Sequence, residues 1–187
     1  MKAGIAGSLA AIILASIFCL PALADDSEVI TITMTGVNEI SISLDKTEWP
    51  IGNVASDTEY MTSPPIEWCT LANTGNVDVN TSIVGTDAKW VDDPAAYEWT
   101  LSSDGTNDEH IYGLWFRISG DTTRGPYGDG YVPITRTQSE FWPYSSGSGS
   151  SLTPGAYKQF GLSLLSPTSF YGDKQMQSHI TISAVAA

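Results

Sequence analysis

Basic residues are scarce in this chain: eight Lys and Arg stand against 21 Asp and Glu, giving a formal net charge of -13. A surface of that sign repels a nucleic-acid backbone, so no nucleic-acid partner is expected. Cysteine and histidine are nearly absent, at two residues each, which excludes a disulfide framework and any closely spaced Cys/His zinc set. Charged residues make up only 16% of the chain while 42% is hydrophobic, a balance that suits a folded core rather than disorder. Beyond residue 24 no stretch of ten residues carries a helical stripe, and no apolar run there is long enough to span a bilayer.

What is present begins with an export signal. Residues 1–24 carry Lys2, an apolar stretch from Ile12 to Leu20 and a closing Ala22-Leu23-Ala24, the A-x-A pattern of a signal-peptide cleavage site. The acidic residues Asp25, Asp26 and Glu28 follow at once, where a retained anchor would carry basic flanks. Cleavage predicts a chain of residues 25–187, folded as a single domain, with no transmembrane segment and a secreted or cell-surface location. Loss of Lys2 takes the net charge from -13 to -14. Cys19 leaves with the signal, so Cys69 is expected alone, as a buried thiol or an intermolecular bridge.

The remaining sequence alternates. Val29-Ile30-Thr31-Ile32-Thr33-Met34-Thr35 and Glu39-Ile40-Ser41-Ile42-Ser43-Leu44-Asp45 each place apolar residues on one side, the period of a half-buried strand. Similar runs cover residues 68–71, 77–83, 97–101, 110–118, 157–164 and 175–185, separated by turns such as Asn73-Thr74-Gly75-Asn76. In residues 110–118 both faces are apolar, which predicts a central strand with cover on either side. Residues 119–142 read as a long connection with a short strand near Tyr131-Val132, and 145–151 as an exposed Ser/Gly loop. The pattern predicts an all-β fold: two antiparallel sheets packed as a β-sandwich, Ig-like or jelly-roll-like, with a barrel as the other closure.

Candidate sites are few. Asp104, Asn107, Asp108 and Glu109 cluster in one segment and are hard oxygen donors, so they are the calcium candidates, against a reading as solvated turn residues. Asp92 with Asp93 and Asp121 with Asp129 are similar but sparser. His110 and His179 lack HExxH or Cys/His neighbours, and Ser148 lies in a low-complexity loop rather than a nucleophile elbow. No catalytic set and no resident cofactor are expected, apart from weak calcium binding. Six Trp and eight Tyr offer faces for sugar rings, with Trp142, Tyr144, Tyr127 and Tyr131 as the exposed candidates against a core-packing reading. Asn80-Thr81-Ser82 fits the N-glycosylation pattern inside an expected strand.

Three phrases carry a resemblance: Ser43-Leu44-Asp45-Lys46-Thr47-Glu48-Trp49-Pro50-Ile51-Gly52, Leu71-Ala72-Asn73-Thr74-Gly75-Asn76-Val77-Asp78-Val79-Asn80, and Leu152-Thr153-Pro154-Gly155 ahead of two alternating strands. With the signal peptide, the chain resembles secreted β-sandwich proteins of prokaryotic cell surfaces, a group that includes biofilm-matrix fibre subunits. The resemblance implies a non-enzymatic structural or adhesive role, with self-association strand to edge or contact with other surface proteins. A carbohydrate-binding surface module is the alternative, with glycans as partners. The intact mass of protein secreted by its native host is expected to match residues 25–187; a secreted chain that retains Met1 would overturn the processing.

Overall fold

The computed structural model describes residues 32–64, 66–119, 131–142 and 151–187, of which Val37–Ala187 form one compact unit. Every helix or strand assigned among the described residues is a strand. In chain order they are β1 (Ile42–Leu44), β2 (Glu59–Met61), β3 (Cys69–Asn73), β4 (Val79–Gly85), β5 (Ala88–Trp90) and β6 (Glu98–Leu101). Then follow β7 (Ile111–Ile118), β8 (Val132–Pro133), β9 (Ser139–Trp142), β10 (Tyr157–Leu165), β11 (Met176–Gln177) and β12 (Ile180–Ala186). The fold is therefore all-β, as the period-two runs require.

A large sheet runs β1-β3-β10-β7-β6-β5-β11, with β2 added to the far half of β10 and β8 to β7, and a small sheet runs β12-β4-β9. One correction to the antiparallel expectation is needed: β6 and β7 run parallel, Thr100 opposite Ile111 and Leu101 opposite Tyr112. Parallel neighbours need a connection that carries the chain back to its starting end. Here residues 102–110 do so, through Gly105 at φ +88° and His110 at φ +57°.

The sheets meet around one core. Leu71, Leu101, Phe116 and Phe160 come from the large sheet, Val79, Ile83 and Phe141 from the small one, and all are buried. Phe141 makes the link, its ring 5.0 Å from Phe116 and 4.9 Å from Phe160, the second contact edge-to-face. Along β4 the residues Val79, Thr81 and Ile83 are buried in alternation, as the sequence predicts.

The double-sided cover expected for residues 110–118 is present in β7, where Tyr112 through Phe116 are all buried. Phe116 faces the inter-sheet core, and Trp115 lies under the loop that carries Gly105. A Cβ on Gly105 would overlap the Trp115 ring, and one on Gly113 would overlap the Gly105 carbonyl. Loop and strand thus approach at a distance only glycine allows, and the positive φ of Gly105 adds a second reason for it.

Elsewhere the expected strands shrink or divide. The run 39–45 contributes three paired residues, and on its apolar side Ile40 stays 47% exposed because β1 is the outermost strand. The run 175–185 breaks at Ser178 and His179, leaving β11 in the large sheet and β12 in the small one. Of the expected strand 29–35, the described residues 32–35 form none, with Ile32 73% and Met34 85% exposed. Alternation supplies an apolar face but not the partner that covers it. The expected signal segment 1–24, residues 29–31 of the expected first strand, residues 120–130, and residues 145–150 of the expected Ser/Gly loop lie outside the described residues.

Substituting Gly105→Ala is expected to cost about 2–4 kcal/mol, combining overpacking against Trp115 with an unfavourable φ. Urea unfolding checks it; an unchanged midpoint would contradict the packing of the loop on β7.

Candidate functional site

Asp104, Asn107, Asp108 and Glu109 occupy the loop between β6 and β7, and their groups turn to different tasks. Asp104 Oδ1 accepts from the Thr106 hydroxyl at 2.6 Å, the Thr106 amide at 3.0 Å and the Ser102 hydroxyl at 2.8 Å, closing a tight turn. Asn107 donates from Nδ2 to Asp57 Oδ1 at 2.9 Å and to the Ser166 carbonyl at 2.8 Å, tying the loop to the segment after β10. Asp108 Oδ1 accepts the Glu109 amide at 2.7 Å, and Glu109 reaches the His110 ring at 3.7 Å. Among the described residues no three His, Cys, Asp or Glu side chains form a group able to hold a metal ion. The acids pinned here sit on the loop that covers Trp115, a placement the sequence did not reveal.

The histidines separate. His110 accepts at Nδ1 or donates to the Tyr97 hydroxyl at 2.9 Å and stacks on Tyr171 with centroids 5.2 Å apart, while the Tyr97 hydroxyl also accepts the Tyr171 amide. It belongs to an aromatic cluster that closes the loop. His179 is exposed and bonds through its backbone amide to Thr86 Oγ1. Cys69 is a buried free thiol whose pKa is raised, first by burial and then by the nearby Asp45 carboxylate, so the thiolate is disfavoured.

Of the aromatic candidates, Tyr127 and Tyr144 lie outside the described residues, as does the side chain of Trp142. Tyr131 packs under the Arg117 guanidinium, 5.8 Å from ring centroid to Cζ. Among the described residues Trp90 lines an open groove, a position for which alternation predicts no role.

The most distinctive surface is the outer side of β12. Seven residues from Ile180 to Ala186 pair with β4 on one side only, since β12 ends the small sheet. Backbone bonds from Thr86 N to His179 O and from Ala187 N to Asp78 O mark the odd-numbered positions as the hydrogen-bonded pairs with β4. The amides and carbonyls of Ile180, Ile182, Ala184 and Ala186 therefore point to the open side. Among the described residues no strand pairs there. This edge contains no Lys, Asp, Glu or Pro, the residues with which sheets discourage strand addition. The side chains of Ile180, Ile182 and Ala184 lean on the core but are only partly covered. No helix among the described residues is long and apolar enough to cross a membrane.

No known family model matches the chain, and no curated protein shows significant similarity to it.

The Asp104 carboxyl is held down to about pKa 2, chiefly by its bonds from Thr106 and then by that from Ser102. A carboxyl lowered in the folded state favours that state above its ordinary value near 3.8 and loses the contribution as pH falls through about 2. The Thr106 amide resonance is expected to titrate with a midpoint near 2 and to stop titrating in Asp104→Asn; a midpoint near 4 would contradict the turn.

Proposed function

We propose that the protein is a non-enzymatic structural or adhesive protein of the cell exterior whose subunits associate through open β-strand edges. The observation that carries this reading is β12: a seven-residue, uncharged, proline-free edge whose outward row of donors and acceptors meets no strand among the described residues. Strand addition needs no catalytic site and no large apolar patch, because backbone bonds supply affinity and alternate side chains supply register. The exposed alternating residues Ile32 and Met34 add a second segment of the type that joins sheets. The two sheets, joined through Phe141, are read as an Ig-like or jelly-roll-like sandwich. The export signal and the resemblance to secreted surface β-proteins supply the location.

Charge sets the conditions. At -14 for residues 25–187, subunits repel one another at low ionic strength, and the Debye length falls to about 10 Å at 0.1 M salt. Purified residues 25–187 are expected to be mainly monomeric in low salt and to form ordered oligomers or fibres as salt or calcium rises, read by light scattering and electron microscopy. Ala184→Pro removes one outward amide without touching a bond to β4, so it should leave circular dichroism unchanged and suppress assembly at least about tenfold. Monodisperse monomers throughout the series, or undiminished assembly of the proline variant, would overturn strand addition at β12.

A further inference from the structure

The outward positions of β12 are Ile180, Ile182, Ala184 and Ala186, because the bonds from Thr86 N to His179 O and from Ala187 N to Asp78 O commit the odd positions to β4. Across a new antiparallel contact, an outward position must face another outward position, since only such a pair exchanges its N–H and C=O groups. A second β12 meets this condition over its full length. Laid antiparallel on the first, it sets Ile180 opposite Ala186 of the other copy and Ile182 opposite Ala184, so every outward position faces an outward position. Thr181 then meets Val185, and Ser183 meets its own counterpart on a two-fold axis.

The side chains suit that register. On the core side Ile180 and Ile182 are only partly covered within one copy, and each gains an alanine as its cross-strand neighbour. On the other face Val185 is 62% exposed, with Thr181 and Ser183 exposed beside it. There Thr181 and Val185 form a β-branched pair at the closer of the two cross-strand spacings. A slip of one residue sets positions bonded to β4 against outward ones and breaks the match. A slip of two keeps the match but loses pairs at one end, and in one direction it opposes Ile182 to Ile182. Charge points the same way: β12 carries none, in a chain with 21 acids and eight bases, so the paired strands oppose no like charges.

We propose that the strand added at β12 is β12 of a second copy, in the full-length antiparallel register centred on Ser183. The two small sheets become one continuous sheet of order β9-β4-β12-β12-β4-β9. The inference rests on the strand-edge reading above and names its partner. A contact that uses one surface twice closes at two copies. Fibres therefore grow from such dimers through a different edge, for which β1 at the end of the large sheet is placed.

Cysteine cross-linking of residues 25–187 tests the register, with oxidised glutathione as oxidant and about 1 M salt, where the Debye length is about 3 Å. Ser183→Cys places thiols on residues whose Cα atoms lie about 4.5 Å apart across the axis, within disulfide reach. A covalent dimer on non-reducing electrophoresis is expected. Thr181→Cys and Val185→Cys each set like residues about 13 Å apart, so either alone should cross-link at least about tenfold less, and a mixture of the two should cross-link again. The parent chain, with its buried Cys69, is the blank. Equal cross-linking of Thr181→Cys and Ser183→Cys, or none from Ser183→Cys with unchanged circular dichroism, would overturn the pairing. If Ala184→Pro still suppresses assembly in that case, a different strand occupies β12 and strand addition stands; if it does not, both readings fall.

Discussion

Asn73 holds the corner on which the two-sheet architecture depends. It ends β3 in the large sheet and is 1% exposed, yet its amide is satisfied on every side. Nδ2 donates to the Val77 and Leu152 carbonyls at 2.8 Å each, and Oδ1 accepts the Gly75 amide at 3.0 Å. These bonds divert the chain away from a hairpin and into β4 of the small sheet. The backbone pair between Val79 and Leu152 then ties the segment preceding β10 to the same corner. A buried amide with all partners present is rigid, and one with a partner missing is costly, so this residue fixes where the core is enclosed.

From that corner the core extends to β7, whose cover on both faces determines the loop that follows β6. Trp115 requires an approach that only Gly105 permits, and Asp104 and Asn107 hold the loop in place by turn bonds and a tie to Ser166. Acidic residues that resemble ligands in sequence thus have a mechanical use beside a buried tryptophan. The segment is ordered by local hydrogen bonds, with the Tyr97, His110 and Tyr171 rings closing its end.

The surface sets two tendencies against each other. An uncharged edge at β12 with no strand partner among the described residues suits the proposed strand addition, while the net charge of -13, or -14 for residues 25–187, opposes contact between copies at low ionic strength. Basic side chains are too few to neutralise that field, and those at the corner between β5 and β11 are paired, Lys89 with Glu98 and Arg136 with Asp87.

Alternation alone determined the all-β class, most strand positions and the buried faces of β4, β6 and β7, because side-chain period follows directly from backbone pleat. The doubly covered strand was legible in Tyr112-Gly113-Leu114-Trp115-Phe116, since apolar residues on both faces admit no solvent-facing side. Pairing was not legible. The Asn73 turn reads in sequence as a tight connection between two strands without saying that it crosses between sheets, and the single run 175–185 divides between them, because partner choice depends on contacts distant in the chain. The same reason hid the parallel β6–β7 pair, the groove around Trp90 and the unpaired state of Ile32 and Met34. A strand's own residues specify which face it must bury; only the assembled sheet order decides which strand is left with an open edge.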